Sequence, residues 1–250
     1  MSPRAIRLGI LVPSSNTALE PLTTSLLTSI NASRPNTPNI TAHFSRFPVT
    51  TISLSPTGLA QFDLAPILFA ASLLAHANVD IIGWSGTAAG WLGFETDVEL
   101  CARIEEETGV RATTSVLALN RVLGLWGVER LGLVTPYVDD VQAEIVRNYG
   151  EIGVQVVGEE HLRVARNSDI ADIGEGVLDG MVRGVVGVGG VQAVTTFCTN
   201  LIAAQRVRFW EEKYDVPVFD TVTTVVWDML RELGVDMSGV EGWGMIFKKV

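Results

Sequence analysis

Short runs of aliphatic and β-branched residues alternate along the chain with longer segments in which apolar residues recur at helical spacing. Runs without polar alternation are typical of strands in a parallel sheet that helices cover on both faces. The run Ile40–Phe47 is more polar, which indicates an edge position. The pattern predicts strands at Leu8–Val12, Ile40–Phe47, Val79–Trp84, Arg111–Ser115, Leu131–Thr135, Val154–Gly158, Ala193–Phe197 and Pro217–Phe219.

The segments between these strands carry the start and stop signals of helices. Asn16 or Thr17 is placed to cap the first helix, and Gly109 is placed to end an acidic one. The predicted helices run to Ile30 from this first cap, and over Thr57–Asn78, Phe94–Thr108, Ser115–Leu125, Val138–Tyr149, Ser168–Arg183, Leu201–Tyr214 and Thr223–Leu233. Alternating strands and helices predict an α/β fold with right-handed crossovers.

One segment of the sequence is echoed in the second half of the chain. Arg7–Pro13 reads RLGILVP and Arg130–Pro136 reads RLGLVTP. A looser pair, Ile81–Thr87 and Val194–Asn200, consists of strands that end in small polar residues. The echo predicts two similar halves, residues 1–115 and 116–216, with residues 217–250 returning to complete the first; chance similarity between parallel strands is the alternative.

Composition and charge narrow the class of protein. Of 250 residues 47% are hydrophobic and 18% charged, so a sizeable core can be buried. The net charge of −10 argues against nucleic-acid or anionic-membrane binding, where Lys and Arg must neutralise phosphate. The apolar runs fall short of about 18 residues, and the N-terminal segment lacks the apolar core of a secretory signal. We therefore expect a cytoplasmic protein without nucleic-acid or membrane partners.

The candidate chemistry lies at four predicted strand ends, where open α/β sheets bind ligands. These ends are small or hydroxylic and carry no positive charge: Ser14-Ser15-Asn16, Gly86-Thr87-Ala88, Thr135-Pro136-Tyr137 and Cys198-Thr199-Asn200. Free N–H groups at helix N-termini bind carboxylate without Lys or Arg. Several such ends around one cleft predict a neutral carboxylate cage. The scattered His43, His76 and His161 indicate no metal site.

Cys198 is the first candidate for a reactive group, because it lies between a predicted strand and a predicted helix. The helix N-terminus is expected to lower its thiol pKa from about 8.5 to below about 8. Such a thiol transfers a proton at carbon or acts as a nucleophile. An inert buried thiol and a Cys198–His161 dyad are alternatives. Cys101 lies in the middle of a predicted helix and is expected to pack.

The segments at 8–17, 81–91, 130–141 and 195–200 (LGILVPSSNT, IIGWSGTAAGW, RLGLVTPYVDDV and TTFCTN) together resemble the aspartate/glutamate racemase superfamily, in its maleate isomerase and arylmalonate decarboxylase branch. The resemblance implies two pseudo-symmetric Rossmann-like halves with mainly parallel sheets and an active site in the cleft between them. It also implies no cofactor or metal, and chemistry that moves a proton or carbon dioxide next to a carboxylate.

The same resemblance implies roles for single residues. Racemases and isomerases of this branch use two cysteines; the second matches Cys198, and the first is missing from Trp84–Ala88. By resemblance to arylmalonate decarboxylases, Thr87, the backbone after it and Tyr137 form a dioxyanion hole. Asn16 contacts a substrate carboxylate by resemblance to maleate isomerases. The expected substrate-binding residues are Pro13, Ser14, Asn16, Gly86, Thr87, Ala88, Tyr137, Thr199 and Asn200.

These observations predict a cofactor-independent cysteine enzyme that acts on a small carboxylic or dicarboxylic acid through an enediolate. The first hypothesis is a malonate-type decarboxylase with Cys198 as proton donor. The alternatives are a cis–trans isomerase or racemase, and a carboxylate-binding protein without turnover. We also expect Phe44–Ser55 to form a lid, Arg46 to contact a carboxylate, and Trp84 and Trp91 to line an apolar pocket. A homo-oligomer is expected on general grounds.

Overall fold

The computed structural model describes residues 4–248 and contains two parallel sheets with their helices. The strands are β1 Ile6–Pro13, β2 Ile40–Phe47, β3 Ile81–Trp84, β4 Ala112–Thr114, β5 Arg130–Thr135, β6 Gln155–His161, β7 Ala193–Thr196 and β8 Val218–Asp220. The helices are α1 Leu19–Ser33, α2 Pro56–Leu59, α3 Leu64–His76, α4 Ala89–Leu92, α5 Glu95–Thr108, α6 Ser115–Trp126, α7 Asp139–Glu151, α8 Asn167–Ile170, α9 Glu175–Gly187, α10 Val207–Tyr214 and α11 Thr221–Glu232.

The two sheets have the same topology. The first has the order β2-β1-β3-β4 and the second the order β6-β5-β7-β8, and every pair of neighbours is parallel. Aliphatic side chains of the inner strands, such as Leu8, Ile10, Leu131 and Leu133, are fully buried. The predicted α/β class with two pseudo-symmetric, parallel halves is therefore confirmed.

The glycine shared by the two echoing segments has the same packing role in each sheet. A Cβ atom on Gly9 of β1 would lie 3.0 Å from Val79 and 3.3 Å from Leu74. A Cβ atom on Gly132 of β5 would lie 2.3 Å from a methyl carbon of Val185, on α9. Both central strands thus need a residue without a side chain where a neighbouring element crosses closely.

The C-terminal segment divides between the two halves. β8 pairs with β7 at the edge of the second sheet, so the expectation that this strand completes the first half is wrong. Helix α11 packs against α6, α1 and β3. The division at residues 115 and 116 stays a prediction; residues 1–3 and 249–250, at the outer ends of the predicted halves, lie outside the described residues.

Hydrogen bonds between α6 and α11 hold the halves together beside the cleft. The Ser115 hydroxyl donates to the Thr221 carbonyl at 2.7 Å, and the Thr224 hydroxyl donates to the Ser115 carbonyl at 3.1 Å. Each helix directly follows the last strand of its sheet. This pairing turns the carboxyl ends of both sheets toward one cleft.

Three predicted helices are interrupted or begin late. Thr57–Asn78 is split at Asp63, whose backbone is extended, into α2, a 3-10 turn at Ala60–Phe62, and α3. Residues Pro56–His76 have the length and apolar composition of a membrane span. This is weak evidence that the segment crosses a membrane, because the core helices of soluble proteins share both properties. Ser168–Arg183 breaks into α8 and α9. Leu201–Tyr214 begins only with a 3-10 turn at Ala204.

The close approach at Gly132 predicts a measurable cost for a single methyl group. We expect Gly132→Ala to lower the free energy of unfolding by about 1–3 kcal/mol, because Val185 is β-branched and cannot turn aside easily. The matched control is Gly180→Ala in α9, where a Cβ atom meets nothing within 4 Å. That change should stabilise by up to about 1 kcal/mol. Urea unfolding of both variants checks this, and equal effects would contradict it.

Candidate active site

The carboxyl ends of β1, β3, β5 and β7 surround a small cavity in the cleft. Seven of the residues predicted from sequence line it: Pro13, Gly86, Thr87, Ala88, Tyr137, Cys198 and Thr199. The other lining residues are Val49, Ile52, Phe62, Trp84, Trp91 and Asn167. The cavity volume is about 20 Å³, which is about the space that one water molecule needs.

Two hydroxyl groups meet across the cleft at one wall of this cavity. The oxygens of Thr87 and Tyr137 lie 2.6 Å apart, and both residues are at most 5% exposed. The backbone N–H groups of Thr87 and Ala88, just before α4, donate to no group within residues 4–248. These hydroxyls and N–H groups provide several hydrogen-bond donors that could serve one carboxylate.

Cys198 lies beside this pair and is 3% exposed. The residue is followed by a turn rather than a helix, and the Asn200 N–H points at its sulfur at 3.4 Å. Burial raises the pKa of the thiol to about 11, although hydrogen bonds from Tyr137, Asn200 and Leu201 lower it in part. The expected pKa below about 8 is therefore wrong, because desolvation outweighs these donors. The thiol is protonated at neutral pH.

A chain of hydrogen bonds that begins at the buried side chains of Thr135 and Gln142 and ends at the surface holds the Tyr137 loop in place. The Thr135 hydroxyl bonds to Gln142 at 2.6 Å and accepts from the Tyr137 N–H at 3.3 Å. Gln142 in turn donates to Glu159, which also bonds His161. The second nitrogen of His161 bonds Asp139, so both ring nitrogens are engaged away from Cys198. These contacts exclude the Cys198–His161 dyad in this structure.

Gly86 has no room for a side chain. A Cβ atom there would lie 2.1 Å from the indole ring of Trp84. Trp84 is buried and packs against Phe47, with ring centroids 4.9 Å apart. The cysteine that the resemblance places in this turn is thus absent from the sequence and also blocked at Gly86 by a fixed ring.

Ser14, Asn16 and Asn200 lie behind the cavity and connect its walls. The N-cap of α1 is Ala18 rather than the predicted Asn16 or Thr17, but the Asn16 side chain accepts from the Ala18 and Leu19 N–H groups and donates to Thr199 at 3.2 Å across the cleft. The side-chain amide oxygen of Asn200 accepts from the Thr17 and Ala18 N–H groups at 3.1 Å. Ser14 bonds the backbone of Val49. A direct substrate contact for these three side chains stays a prediction.

Arg46 bonds to the loop after β1 and does not line the cavity. Its guanidinium donates to the carbonyls of Ser14 and Asn16 and pairs with Glu20 at 2.8 Å. It is not among the cavity-lining residues. The expected carboxylate contact from Arg46 therefore has no support, because its donors are directed to these partners.

Residues 48–63, between β2 and α3, form the roof of the cavity. The predicted lid, Phe44–Ser55, overlaps this segment only in part. Phe44–Phe47 belong to β2, whereas Val49, Ile52 and Phe62 face the site. The Ile52 N–H donates to Ala165 and the Asn167 N–H donates to Thr50, which fastens the roof to the other half. Apolar residues after a predicted strand were the only sequence signal for this roof. Asn167 gave none.

Residues 35–247 match the model of the family described as arylmalonate decarboxylase. The chain belongs to that family. It is 26% identical to a maleate isomerase of Pseudomonas putida over 238 residues, 92% of each chain. It is 24% identical over 176 residues to an arylmalonate decarboxylase of Bordetella bronchiseptica, 70% of this chain and 73% of that one.

A solved structure supports the same fold. It is a cysteine-to-serine variant of the Nocardia farcinica maleate cis-trans isomerase with a covalently bound succinylcysteine intermediate. The TM-score is 0.86 at 22% identity, and the alignment covers 98% of this chain and 99% of that one. The family match and the two relatives in sequence confirm the predicted branch of maleate isomerases and arylmalonate decarboxylases.

The raised pKa of the Cys198 thiol can be measured directly. We expect Cys198 to contribute no thiolate absorbance between about pH 6 and 9, because its pKa lies near 11. The ultraviolet difference between the native chain and Cys198→Ser reports this. The same pair of chains in denaturant is the control, and there the thiol should titrate near its ordinary value of about 8.5. A native thiolate signal below pH 8 would refute the expectation.

Proposed function

We propose that this family member decarboxylates small malonate-type acids, with Cys198 as the proton donor. The observation that carries the proposal is a single protonated thiol that faces a pair of hydroxyl donors in a small, mainly apolar cavity. Chemistry with two thiols lacks space for the second at Gly86. The substrate is proposed to be a small-molecule carboxylate, and the protein to be soluble and cytoplasmic.

In the proposed mechanism the retained carboxylate accepts hydrogen bonds from the Thr87 and Tyr137 hydroxyls and from the Ala88 N–H. The second carboxylate lies against the apolar side chains of the roof. When its carbon–carbon bond breaks, the electron pair moves into the retained carboxylate and forms an enediolate, and carbon dioxide leaves. Each preorganised donor stabilises the developing charge by about 3–4 kcal/mol.

Cys198 then transfers its proton to the α-carbon. The product is the shortened acid, and the sulfur becomes a thiolate. The N–H groups of Asn200 and Leu201 stabilise this thiolate, since hydrogen bonds from these groups favour the charged sulfur. Water reprotonates the sulfur after the product leaves. A thiol with a raised pKa suits this role because it holds its proton until a carbanion forms.

Isomerisation is the second candidate, and the similarity to maleate isomerases supports it. A covalent isomerase needs a thiolate that adds to a carbon–carbon double bond. Burial keeps Cys198 protonated, and Gly86 leaves no place for another thiol. These two features favour decarboxylation over isomerisation.

The proposal is tested by proton NMR in heavy water with methylmalonate, phenylmalonate, maleate, aspartate and glutamate. We expect loss of carbon dioxide from a malonate with deuterium at the α-carbon, and no such reaction in Cys198→Ala. Cis–trans conversion or exchange without loss of carbon would establish the isomerase or racemase instead. Saturable line broadening without turnover, unchanged in the variant, would indicate a carboxylate-binding protein.

The hydroxyl pair gives a second prediction with a matched control. Tyr137→Phe should lower kcat about 100- to 1000-fold, because it removes one donor to the enediolate. Tyr149→Phe is the control, since Tyr149 is equally buried but its hydroxyl has no hydrogen-bond partner among the described residues. Its kcat should be unchanged. Equal kcat values for the two variants, measured by product NMR at saturating malonate, would exclude the proposed role of Tyr137.

A further inference from the structure

His161, which the proposed mechanism does not use, lies between two carboxylates at the end of β6. Its Nε2 atom is 2.6 Å from Asp139, and its Nδ1 atom is 2.8 Å from Glu159. The His161 side chain is only 12% exposed. Asp139 is the first residue of α7, two positions after Tyr137. The imidazole thus ties the segment that carries Tyr137 to the neighbouring strand.

The other partners of these two carboxylates fix the protonation state of the ring. The Asp139 carboxylate also pairs with the Arg163 guanidinium at 2.8 Å, and Glu159 also accepts from the Gln142 amide at 2.7 Å. Both carboxylates therefore act as acceptors, and each ring nitrogen must supply a hydrogen. A neutral imidazole carries a hydrogen on one nitrogen only, whereas the imidazolium carries both. His161 is thus a doubly bonded imidazolium in this arrangement.

The charges that act on the ring come from one face of β6. Successive side chains of a strand point to opposite faces, so Glu159 and His161 share the face toward α7. Glu160 points to the other face, where a Cβ atom on Gly184 of α9 would lie 2.7 Å from its carboxylate. The neighbouring strand β5 places the uncharged Thr135 beside His161. The charged groups that face the ring are therefore Asp139, Glu159 and Arg163.

The proton on His161 makes these contacts dependent on pH. Burial lowers the pKa of His161, but hydrogen bonds to Asp139 and Glu159 outweigh burial and the opposing charge of Arg163. The net pKa lies above its ordinary value of about 6.5. Both hydrogen bonds are therefore complete below about pH 6.5, and one is lost as the pH rises through the raised pKa.

The segment after β6 holds the backbone of the Tyr137 loop. The Arg163 N–H donates to the Tyr137 carbonyl at 3.0 Å, and the Val164 N–H donates to the Pro136 carbonyl at 2.8 Å. Arg163 has a φ of 60°, in the left-handed region that a residue with a side chain rarely adopts. The contacts around Asp139 must hold this strained residue in place. Loss of one imidazole hydrogen bond therefore loosens the loop that presents the Tyr137 hydroxyl.

We propose that His161, as the doubly bonded imidazolium, is a positioning residue that holds the Tyr137 hydroxyl at the retained carboxylate, and that its deprotonation lowers the activity of the site. This inference rests on the proposed function, because that function assigns Tyr137 to the enediolate. The site then responds to pH near neutrality, although Cys198 keeps its proton there. The imidazolium, and not the thiol, sets the alkaline limit of turnover.

The pH dependence of kcat tests the inference. Between about pH 5.5 and 9.5, kcat of the native chain for phenylmalonate should fall about tenfold as His161 loses its proton, since a displacement of about 1 Å costs up to about 100-fold. In His161→Gln, which carries no titrating ring, kcat should stay near the native alkaline value at every pH. His76→Gln is the matched control, because His76 is exposed at the end of α3, and it should keep the native profile.

A double variant separates positioning from a general structural role. Because His161 acts through Tyr137, adding His161→Gln to Tyr137→Phe should change kcat on the acidic plateau by less than about twofold. A full, multiplicative loss in the double variant, or the native pH profile in His161→Gln, overturns the inference.

A readout that needs no turnover keeps the inference separate from the proposed function. The chain has three tyrosines and three histidines, so carbon-13 labelling of their rings gives few NMR signals. The signals of Tyr137 and His161 are those missing from Tyr137→Phe and His161→Gln. Burial raises the pKa of the Tyr137 hydroxyl well above its ordinary value of 10, so a change in its signal near neutral pH comes from its surroundings.

We expect the Tyr137 signal to shift with the same midpoint as that of His161, and to stay constant in His161→Gln. A constant Tyr137 signal in the native chain, or an equal shift in the variant, overturns the inference whether or not malonates are turned over. A shared midpoint in a chain that turns over no malonate supports the coupling of His161 to Tyr137, and the proposed function alone then fails.

Discussion

The structure of the cleft depends on the pairing of polar groups that have lost their contact with water. Thr87 and Tyr137 come from different sheets, and their hydroxyls meet at 2.6 Å in a space with room for about one water molecule. A buried polar group left without a partner costs about 1–3 kcal/mol, so each half needs the other to complete its strand ends. Asn16 and Asn200 satisfy backbone and side-chain groups across the same boundary. The groups proposed to bind substrate thus also fix the position of the two sheets relative to each other.

The same exclusion of water determines the protonation state of Cys198. N–H donors behind the sulfur favour the thiolate, but desolvation favours the neutral thiol more strongly, and the net effect is a raised pKa. A nucleophilic thiol needs the opposite balance. A proton donor to a carbanion benefits from this balance, because the proton stays on sulfur until a strong base appears beside it. The environment therefore favours the acid role that we propose for the thiol over a nucleophilic role.

Much of the fold was predictable because it repeats and because its signals are local. The glycines at positions 9 and 132 mark the two crossings over the central strands, and both lie in the echoing segments. The motif residues Gly86, Thr87, Tyr137 and Cys198 do meet at one cavity. The pairing of β8 with the second sheet was not predictable, since a three-residue strand carries no information about its partner. The roof and the pKa of Cys198 depend on contacts between residues distant in sequence.

The asymmetry of the site follows from the packing around Gly86. In a pseudo-symmetric fold the two halves offer equivalent strand ends, and a thiol on each would allow chemistry on both faces of the substrate. Trp84 removes that symmetry, because its ring covers Gly86 and leaves no space for a second side chain. The ring is held in turn by Phe47, at the end of β2. In the proposed single-thiol chemistry both halves thus supply hydroxyl donors, the first half supplies the apolar wall at Trp84, and the second half supplies the proton.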